Sequence, residues 1–410
     1  MKIAAIASIF LLVLGVRVFL YYQNQPHFFE GQEVNLEINL NNEPKVFSNR
    51  QVLSANLGLN KLIIITSFWP QYHYQDKLKI SGKLESRVLK NGPQLFVLYF
   101  PKIEQGNQNA ILKSIGNFRE KFIDLFNRTL PINYSSLLLG ITFGIKEKMT
   151  DNFLNNLRIT GVLHVIAASG MNVTLFGGFI TAVFGSFLKR QLALFLSIFG
   201  ILFYVFLAGF EPSIIRAAIM GILVFSSQIL GRQRLSLYGL ILAGYFMVLL
   251  SPDTIFDIGF QLSFVATAGL LYIRPIFYSS EFIKRILGNS LVGEDIATTI
   301  SAQVATLPIL LANFGSYSIW SIVVNALVLW TVPILMVIGG VGGVLGLFFD
   351  MLGKSVIFLS LPFILYFEKI IDVFSNFGGI LKIENLSWQI VCGYYLLLGV
   401  AVYKLKNFKV

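Results

Sequence analysis

Runs of about eighteen or more apolar residues recur along this chain, and each is long enough to cross a hydrocarbon core as an α-helix. Inside a bilayer every backbone polar group must be bonded within the protein, so only helices and closed barrels can span it. The pattern therefore reads as an α-helical polytopic membrane protein with about ten spans. Composition agrees: 13% of residues are charged and mean hydropathy is +0.71, against ~25% charged in soluble domains. The first run, Ile3 to Leu20, follows Lys2 and precedes Tyr21-Tyr22-Gln23. No small-residue cleavage site follows it, so it reads as a retained span rather than a signal peptide. Cys392 is the sole cysteine, which excludes an intramolecular disulfide and a thiolate metal site. In a chain of this class the net charge of +11 is in large part a topological signal, not a measure of nucleic-acid affinity.

Residues 22–110 break the apolar pattern. Glu33 to Leu40 alternates apolar and polar residues, and Leu62 to Ser67 is β-branched. Lys77 to Leu84 alternates around Gly82, and Leu95 to Phe100 follows the turn Asn91-Gly92-Pro93. About five short strands in such a segment predict a small OB-like β-barrel. A segment 111–160 follows. In its first part Ile111, Ile115, Phe118, Phe122, Leu125 and Phe126 share one helical face, opposite Lys113, Arg119, Glu120, Asp124 and Arg128. That helix suits either the membrane interface or packing on the barrel. Tyr134 to Ile145 is apolar but short for a span, and reads as interfacial or re-entrant.

From 161 to 404 spans dominate, at 161–187, 192–210, 213–231, 236–251, 258–277, 297–314, 317–349, 355–374 and 388–404. In 317–349, Pro333 and the glycines at 339, 340, 342, 343 and 346 allow either a kink or a split into two. Residues 405–410 form a tail. With the N-terminus in the cytoplasm, the short inner connections carry Lys2, Lys189, Arg190, Arg232, Arg234, Arg274, Lys284, Arg285, Lys354, Lys404, Lys406 and Lys409. The short outer loops carry Glu211, Asp253, Asp257 and the pair Lys382/Glu384. This asymmetry predicts a multi-pass protein of the inner (cytoplasmic) membrane, both termini cytoplasmic and the β-domain outside. Arg17, near the outer end of the first span, is placed to snorkel outward.

Ionisable and polar residues within spans are costly and mark candidate sites. They are Arg158, His164, Asn172, Arg216, Asp257, Gln261 and Gln303. His164 and Ser169 invite a serine–histidine protease reading, but five residues separate them by about 140° around one helix. Small residues at helix contacts (Ala167, Ala168, Ser169, Gly170) are the better account. Arg216 follows Glu211-Pro212-Ser213 at a helix start, and either pairs with an acidic neighbour such as Glu211 or Asp257 or meets a phosphate along an aqueous path. Asp257 and Gln261, spaced i, i+4, share a face. Polar residues on several helices either line one cavity or cement helix contacts. In the β-domain, Trp69, Tyr72, Tyr74 and Tyr99 with Lys77, Lys79 and Lys102 are the nucleic-acid candidates, weighed against a role for the aromatics in the barrel core. No Walker A motif, His-rich cluster or Gly-rich dinucleotide loop appears. No cofactor and no catalytic function is therefore expected.

Three stretches carry a resemblance. They are Gly144-Ile145-Lys146 with Leu157 to Gly170 (LRITGVLHVIAASG), Pro212 to Met220 (PSIIRAAIM) with Gly231-Arg232, and Asp257 to Phe264 (DIGFQLSF). Together with Tyr74 to Leu84 (YQDKLKISGKL) they resemble the ComEC-type competence protein family. The resemblance runs in order from the first span to about residue 375. It implies a channel that carries single-stranded DNA across the cytoplasmic membrane during natural transformation. Two positions depart from the family: Ile145 where an acidic residue is common, and Asn172 where a histidine is common. The chain also reads as a short form without the β-lactamase-like nuclease domain of many members. A separate nuclease, a DNA receptor and a cytoplasmic helicase or ATPase are the partners this implies, beside the bilayer and a possible homo-oligomer. The competing function is a secondary transporter or lipid flippase, which predicts an internal repeat with paired broken helices; no clear repeat is found.

Overall fold

The computed structural model describes the chain except residues 1, 26–27, 41–43, 48, 58–59, 74–75, 89–93, 107–109, 146–148, 167–169, 211, 232–235, 280–290, 384–385 and 408–410, and the side chains of some residues beside these. The chain divides into two compact units, Met1–Asp124 with Val248–Asp253, and Leu125–Met247 with Thr254–Val410.

The first unit opens with helix α1, Lys2–Gln23. Arg17 on α1 donates from its Nε to the Leu249 carbonyl at 3.2 Å, and its guanidinium lies 5.6 Å from the Tyr21 ring centroid. The Tyr21 hydroxyl in turn donates to Asp253. Eight strands follow where about five were expected: β1 Glu33–Asn39, β2 Lys45–Phe47, β3 Arg50–Leu57, β4 Asn60–Ser67, β5 Lys77–Lys83, β6 Glu85–Val88, β7 Gln94–Tyr99 and β8 Lys102–Gln105. The four read from the sequence, β1, β4, β5 and β7, are the ones with clean alternation or a β-branched run. Among the described residues the strands form two sheets, β1-β5-β8 and β2-β3-β4-β7-β6, with β4 and β7 parallel. Register places Leu62 opposite Phe96 and Ile64 opposite Leu98, and all four are buried. With Leu40, Leu53, Leu78, Ile80 and Leu84 they form the domain core, where each such side chain contributes about 1.5–3 kcal/mol.

Helix α2, Ala110–Thr129, follows the expected amphipathic pattern. Phe122, Ile123, Leu125 and Phe126 are buried, and Phe126 packs edge-on to Phe143, so the C-terminal part of its apolar face is covered by protein. Arg119, assigned to the polar face, is buried as well. Helix α3, Ile132–Phe143, is buried from Ser135 to Phe143, which a helix lying in the interface would not be.

The rest of the second unit is helical. In order come α4 Asp151–Ile159, α5 Leu163–Ile166, α6 Gly170–Gly185, α7 Arg190–Ala208, α8 Pro212–Ile229, α9 Ser236–Leu250, α10 Ile258–Tyr272 and α11 Arg274–Ser279. Then follow α12 Leu291–Phe314, α13 Ser321–Val328, α14 Thr331–Phe348, α15 Asp350–Phe358, α16 Leu361–Asn376 and α17 Trp388–Asn407. A short antiparallel ladder pairs β9, Ser316–Ser318, with β10, Ile380–Lys382.

Within 161–187 the described residues are helical over α5 and α6, and 167–169, Ser169 among them, lie outside the described residues. The stretch 317–349 splits into α13 and α14, with the break before Pro333. The glycines of α14 serve close packing instead. A Cβ on Gly342 would fall 2.7 Å from the Ile357 side chain, and Gly339 sits against Thr142 and Leu138 of α3, the small-residue contact that lets membrane helices approach. By length and composition four helical segments among the described residues suffice to cross a bilayer: Arg190–Ala208, Ile296–Phe314, Thr331–Phe348 and Trp388–Leu405. Shorter apolar helices include Gly170–Gly185, Ser213–Ile229 and Leu237–Leu250.

Candidate functional site

In the first unit a buried glutamine organises the aromatic candidates. Gln51 on β3 is fully buried. Its Nε2 donates to the carbonyls of Ser67, Phe68 and Pro70 at 2.9, 2.8 and 2.7 Å, and its Oε1 accepts from the Tyr72 N–H at 3.1 Å. The loop after β4 is thereby pinned, and Trp69 projects from it 70% exposed. Tyr72 belongs to the core, which removes it from the stacking candidates; burial, then the nearby Asp76, pushes its phenol up. Tyr74 lies outside the described residues. Tyr99 and Phe100 are exposed. Phe100 takes a left-handed φ of 46°, unusual for a bulky residue, and the Arg50 guanidinium lies 5.8 Å from its ring centroid. Arg50 pairs with Ser67 and Ile65 with Tyr99 in the ladder. Trp69, Tyr99, Phe100 and Arg50 therefore share one end of the five-stranded sheet. Neither Arg50 nor Gln51 stood out in the sequence, because the contacts that engage them, with Phe100 and with the loop at 67–72, are non-local.

The lysine candidates are less free than the sequence implied. Lys77 and Lys79 both pair with Glu37, at 2.9 and 3.3 Å, and Lys102 pairs with Glu104 at 2.9 Å. Hydrogen bonds from Lys77 and Lys79 hold the Glu37 carboxyl below its ordinary range, and Lys102 does the same to Glu104. These pairs are exposed, and solvent screening leaves them weak.

In the second unit the polar candidates fall into separate groups. Asn172 is buried, and its Nδ2 donates to the Ile141 carbonyl at 2.8 Å; the Tyr204 hydroxyl donates to the Thr142 carbonyl at 2.7 Å. Both tie neighbouring helices to the end of α3, so Asn172 is corrected from a path-lining residue to a helix clasp. Asp257 caps α10, its Oδ1 accepting from the Phe260 N–H at 2.7 Å. Gln261 donates to the Ile255 carbonyl at 2.9 Å. Asp257 is therefore not the partner of Arg216, and Glu211 lies outside the described residues. Arg216 is buried on α8, and its Nη1 donates to the Ser263 carbonyl and, at 2.7 Å, to Thr267 Oγ1.

Gln303 anchors the richest polar cluster. Its Nε2 donates to Ser321 Oγ at 2.7 Å, and its Oε1 accepts from the Tyr317 hydroxyl at 2.7 Å. Asn325 Nδ2 and the Gly161 carbonyl meet Ser321 Oγ at 3.4 Å each. Gly161, at φ 75°, has room for no side chain there. Ser321 and Asn325, spaced i, i+4 in an apolar run, were the sequence signal that went unused. Arg158 and His164 flank Gly161 on the short helices α4 and α5, and both side chains are exposed. A cavity of about 170 Å³ of mixed lining lies beside α4, with Tyr134, Asn156, Glu368 and Asp372 among its polar residues and Leu137 and Phe153 among its apolar ones, and Asn156 Nδ2 donating to Asp372 at 3.3 Å. Among the described residues no three His, Cys, Asp or Glu side chains gather as metal ligands would.

Residues 141–408 match the family model described as Competence protein. ComE operon protein 3 of Bacillus subtilis (strain 168) is 30% identical over 231 residues, which is 56% of this chain and 29% of that protein. An uncharacterized protein of Aquifex aeolicus (strain VF5) is 30% identical over 129 residues, 31% of this chain and 30% of that protein. The matched stretches thus span less than a third of either relative. No solved structure matches the chain. The apolar helices and the family agree on a membrane protein, and the match covers the helices that carry Gly161, Arg216 and Gln303: the chain belongs to the Competence protein family, of the ComEC type.

Proposed function

We propose that this protein conducts single-stranded DNA across the cytoplasmic membrane during DNA uptake, as a non-catalytic channel. The observation that carries the reading is the family match over 141–408, which includes the polar groups set among the apolar helices. A strand of phosphates needs such groups, since charge in hydrocarbon is costly unless it is solvated or paired. In this reading ten spans place both termini in the cytoplasm and the β-domain, an OB-like fold, outside. Trp69, Tyr99 and Phe100 with Arg50 supply stacking and charge for bases and phosphates. Arg158, His164 and Gln303 line the strand's route. A separate nuclease, receptor and motor complete the system.

Cysteine accessibility tests the reading. Cys392 is replaced by serine, and single cysteines are placed at Arg158 and His164. Bound single-stranded oligonucleotide should protect both from a membrane-impermeant thiol reagent, while the same length of duplex should not. Equal labelling with and without the strand would remove these residues from the path.

A further inference from the structure

The cavity beside α4 lies where α3, α4 and α16 meet. Its floor is apolar: Leu137 of α3 and Met149 both line it and are buried. Tyr134 and Phe153, half-buried, add two aromatic rings to the lining. The other lining groups make hydrogen bonds. Asn152 and Asn156 are spaced i, i+4 on α4, and Glu368 and Asp372 are spaced i, i+4 on α16, so each pair shares one face of its helix. Asn156 Nδ2 steadies the Asp372 carboxylate at 3.3 Å. That single bond leaves acceptor capacity on Asp372, since an ionised carboxylate has about four lone-pair sites. Among the described residues that line the cavity none is lysine or arginine.

This lining selects its occupant by chemistry. Two carboxylates with no cation beside them repel a phosphate and accept from N–H donors. An apolar floor under a few convergent polar groups is the usual form of a binding pocket, but about 170 Å³ is below the ~300–1,000 Å³ of pockets that take a whole small-molecule ligand. It suits one ring of a longer molecule. A nucleobase has that form, with apolar faces for aromatic side chains and donors and acceptors along its edge. Cytosine offers its N4 amino group to a carboxylate, and the acceptors next to it match an asparagine amide. Thymine flanks its one N–H with two carbonyls, which a carboxylate disfavours.

We propose that this cavity binds single bases of the transported strand and takes amino-bearing bases in preference to thymine. The proposal rests on the channel reading above. In that reading α16 runs towards the outer face, so Glu368 and Asp372 stand on the side from which the strand arrives. Helix α4 then carries both Arg158 of the route and the two asparagines of the cavity.

The test uses the full chain in nanodiscs of zwitterionic lipid, titrated at neutral pH with short oligo-dC and oligo-dT of equal length. Wild type should bind oligo-dC about tenfold more tightly than oligo-dT. Asp372→Asn and Glu368→Gln keep the side-chain shape and replace a carboxylate by an amide. Loss of a negative charge should favour both strands alike, so the ratio of the two affinities isolates the reading of the base. That ratio should fall towards unity in each variant. Asp372 is exposed, so its variant keeps the test open where Glu368→Gln folds poorly. Equal binding of the two strands by wild type, or a preference for oligo-dC that both variants retain, overturns the base site and leaves the channel reading standing. Absence of any strand binding by wild type overturns both. If spermidine shields Phe153→Cys, in a chain whose Cys392 is serine, from a thiol reagent and oligo-dC does not, the cavity takes an organic ammonium and the proposal fails.

Discussion

Replacing Gly161 by alanine probes the joint on which the Gln303 cluster turns. Gly161 adopts φ 75°, where an L-residue costs about 1–2 kcal/mol. An alanine Cβ would also fall 2.6 Å from Ser321 Cβ, 2.8 Å from Ser321 Oγ and 3.0 Å from Ser318 Cβ. Such contacts force neighbouring groups aside, at about 1–3 kcal/mol. The sum, about 2–5 kcal/mol, predicts a fall in the thermal transition of the purified protein of roughly 2–6 °C. The two nearest atoms both belong to Ser321, so Ser321→Gly should relieve the steric part and leave the backbone part. A double-mutant cycle read by thermal unfolding in detergent should therefore show a favourable coupling of about 1–3 kcal/mol. If Gly161→Ala melts with the wild type, or if Ser321→Gly gives no relief, the left-handed joint and its fit against α13 are wrong.

Three further outcomes follow from the same structure. Gln51→Leu leaves the buried Tyr72 N–H without its acceptor and frees the Trp69 loop, and should cost about 1–3 kcal/mol with faster hydrogen exchange across 67–72. Asp257→Ala removes the cap of α10 and should cost about 1 kcal/mol, read as a lowered thermal transition with membrane insertion intact. Glu37 has its carboxyl held low by Lys77 and Lys79; its stabilising contribution is present above the ordinary carboxylate range and is lost as pH falls through the lowered value. Unfolding of the β-domain should therefore grow easier below about pH 4, and Glu37→Gln should flatten that dependence.

Much of this architecture was legible in the residues because it rests on local period. The alternation in 33–40 and 77–84 marked β1 and β5, and the face from Phe118 to Phe126 marked α2. What escaped depends on chain segments far apart in sequence. Ser321 and Asn325 mean little until Gly161 and Gln303 close on them, and Gln51 is an ordinary polar residue until the loop at 67–72 folds over it. The same non-locality left Asn172 and Tyr72 open between a binding and a packing role, and both are buried in structural contacts. Arg216 was identified as a charge needing a partner, with Glu211, Asp257 or a phosphate as candidates; its Nη1 meets the Ser263 carbonyl and Thr267 Oγ1, while Asp257 caps α10. In 317–349 hydropathy left a kink and a split open, because it registers the apolar side chains and not the turn after Val328.

The central claim is that the protein itself passes a single strand. Its most direct measurement is transport into liposomes that contain only the purified chain. End-labelled single-stranded DNA is supplied outside, external DNA is digested, and label protected inside is counted over time. The account predicts protected single strand in protein-containing vesicles, none in empty vesicles, and none when the same sequence is supplied as duplex. Folded, inserted protein that admits no strand, or that admits duplex equally well, would contradict it.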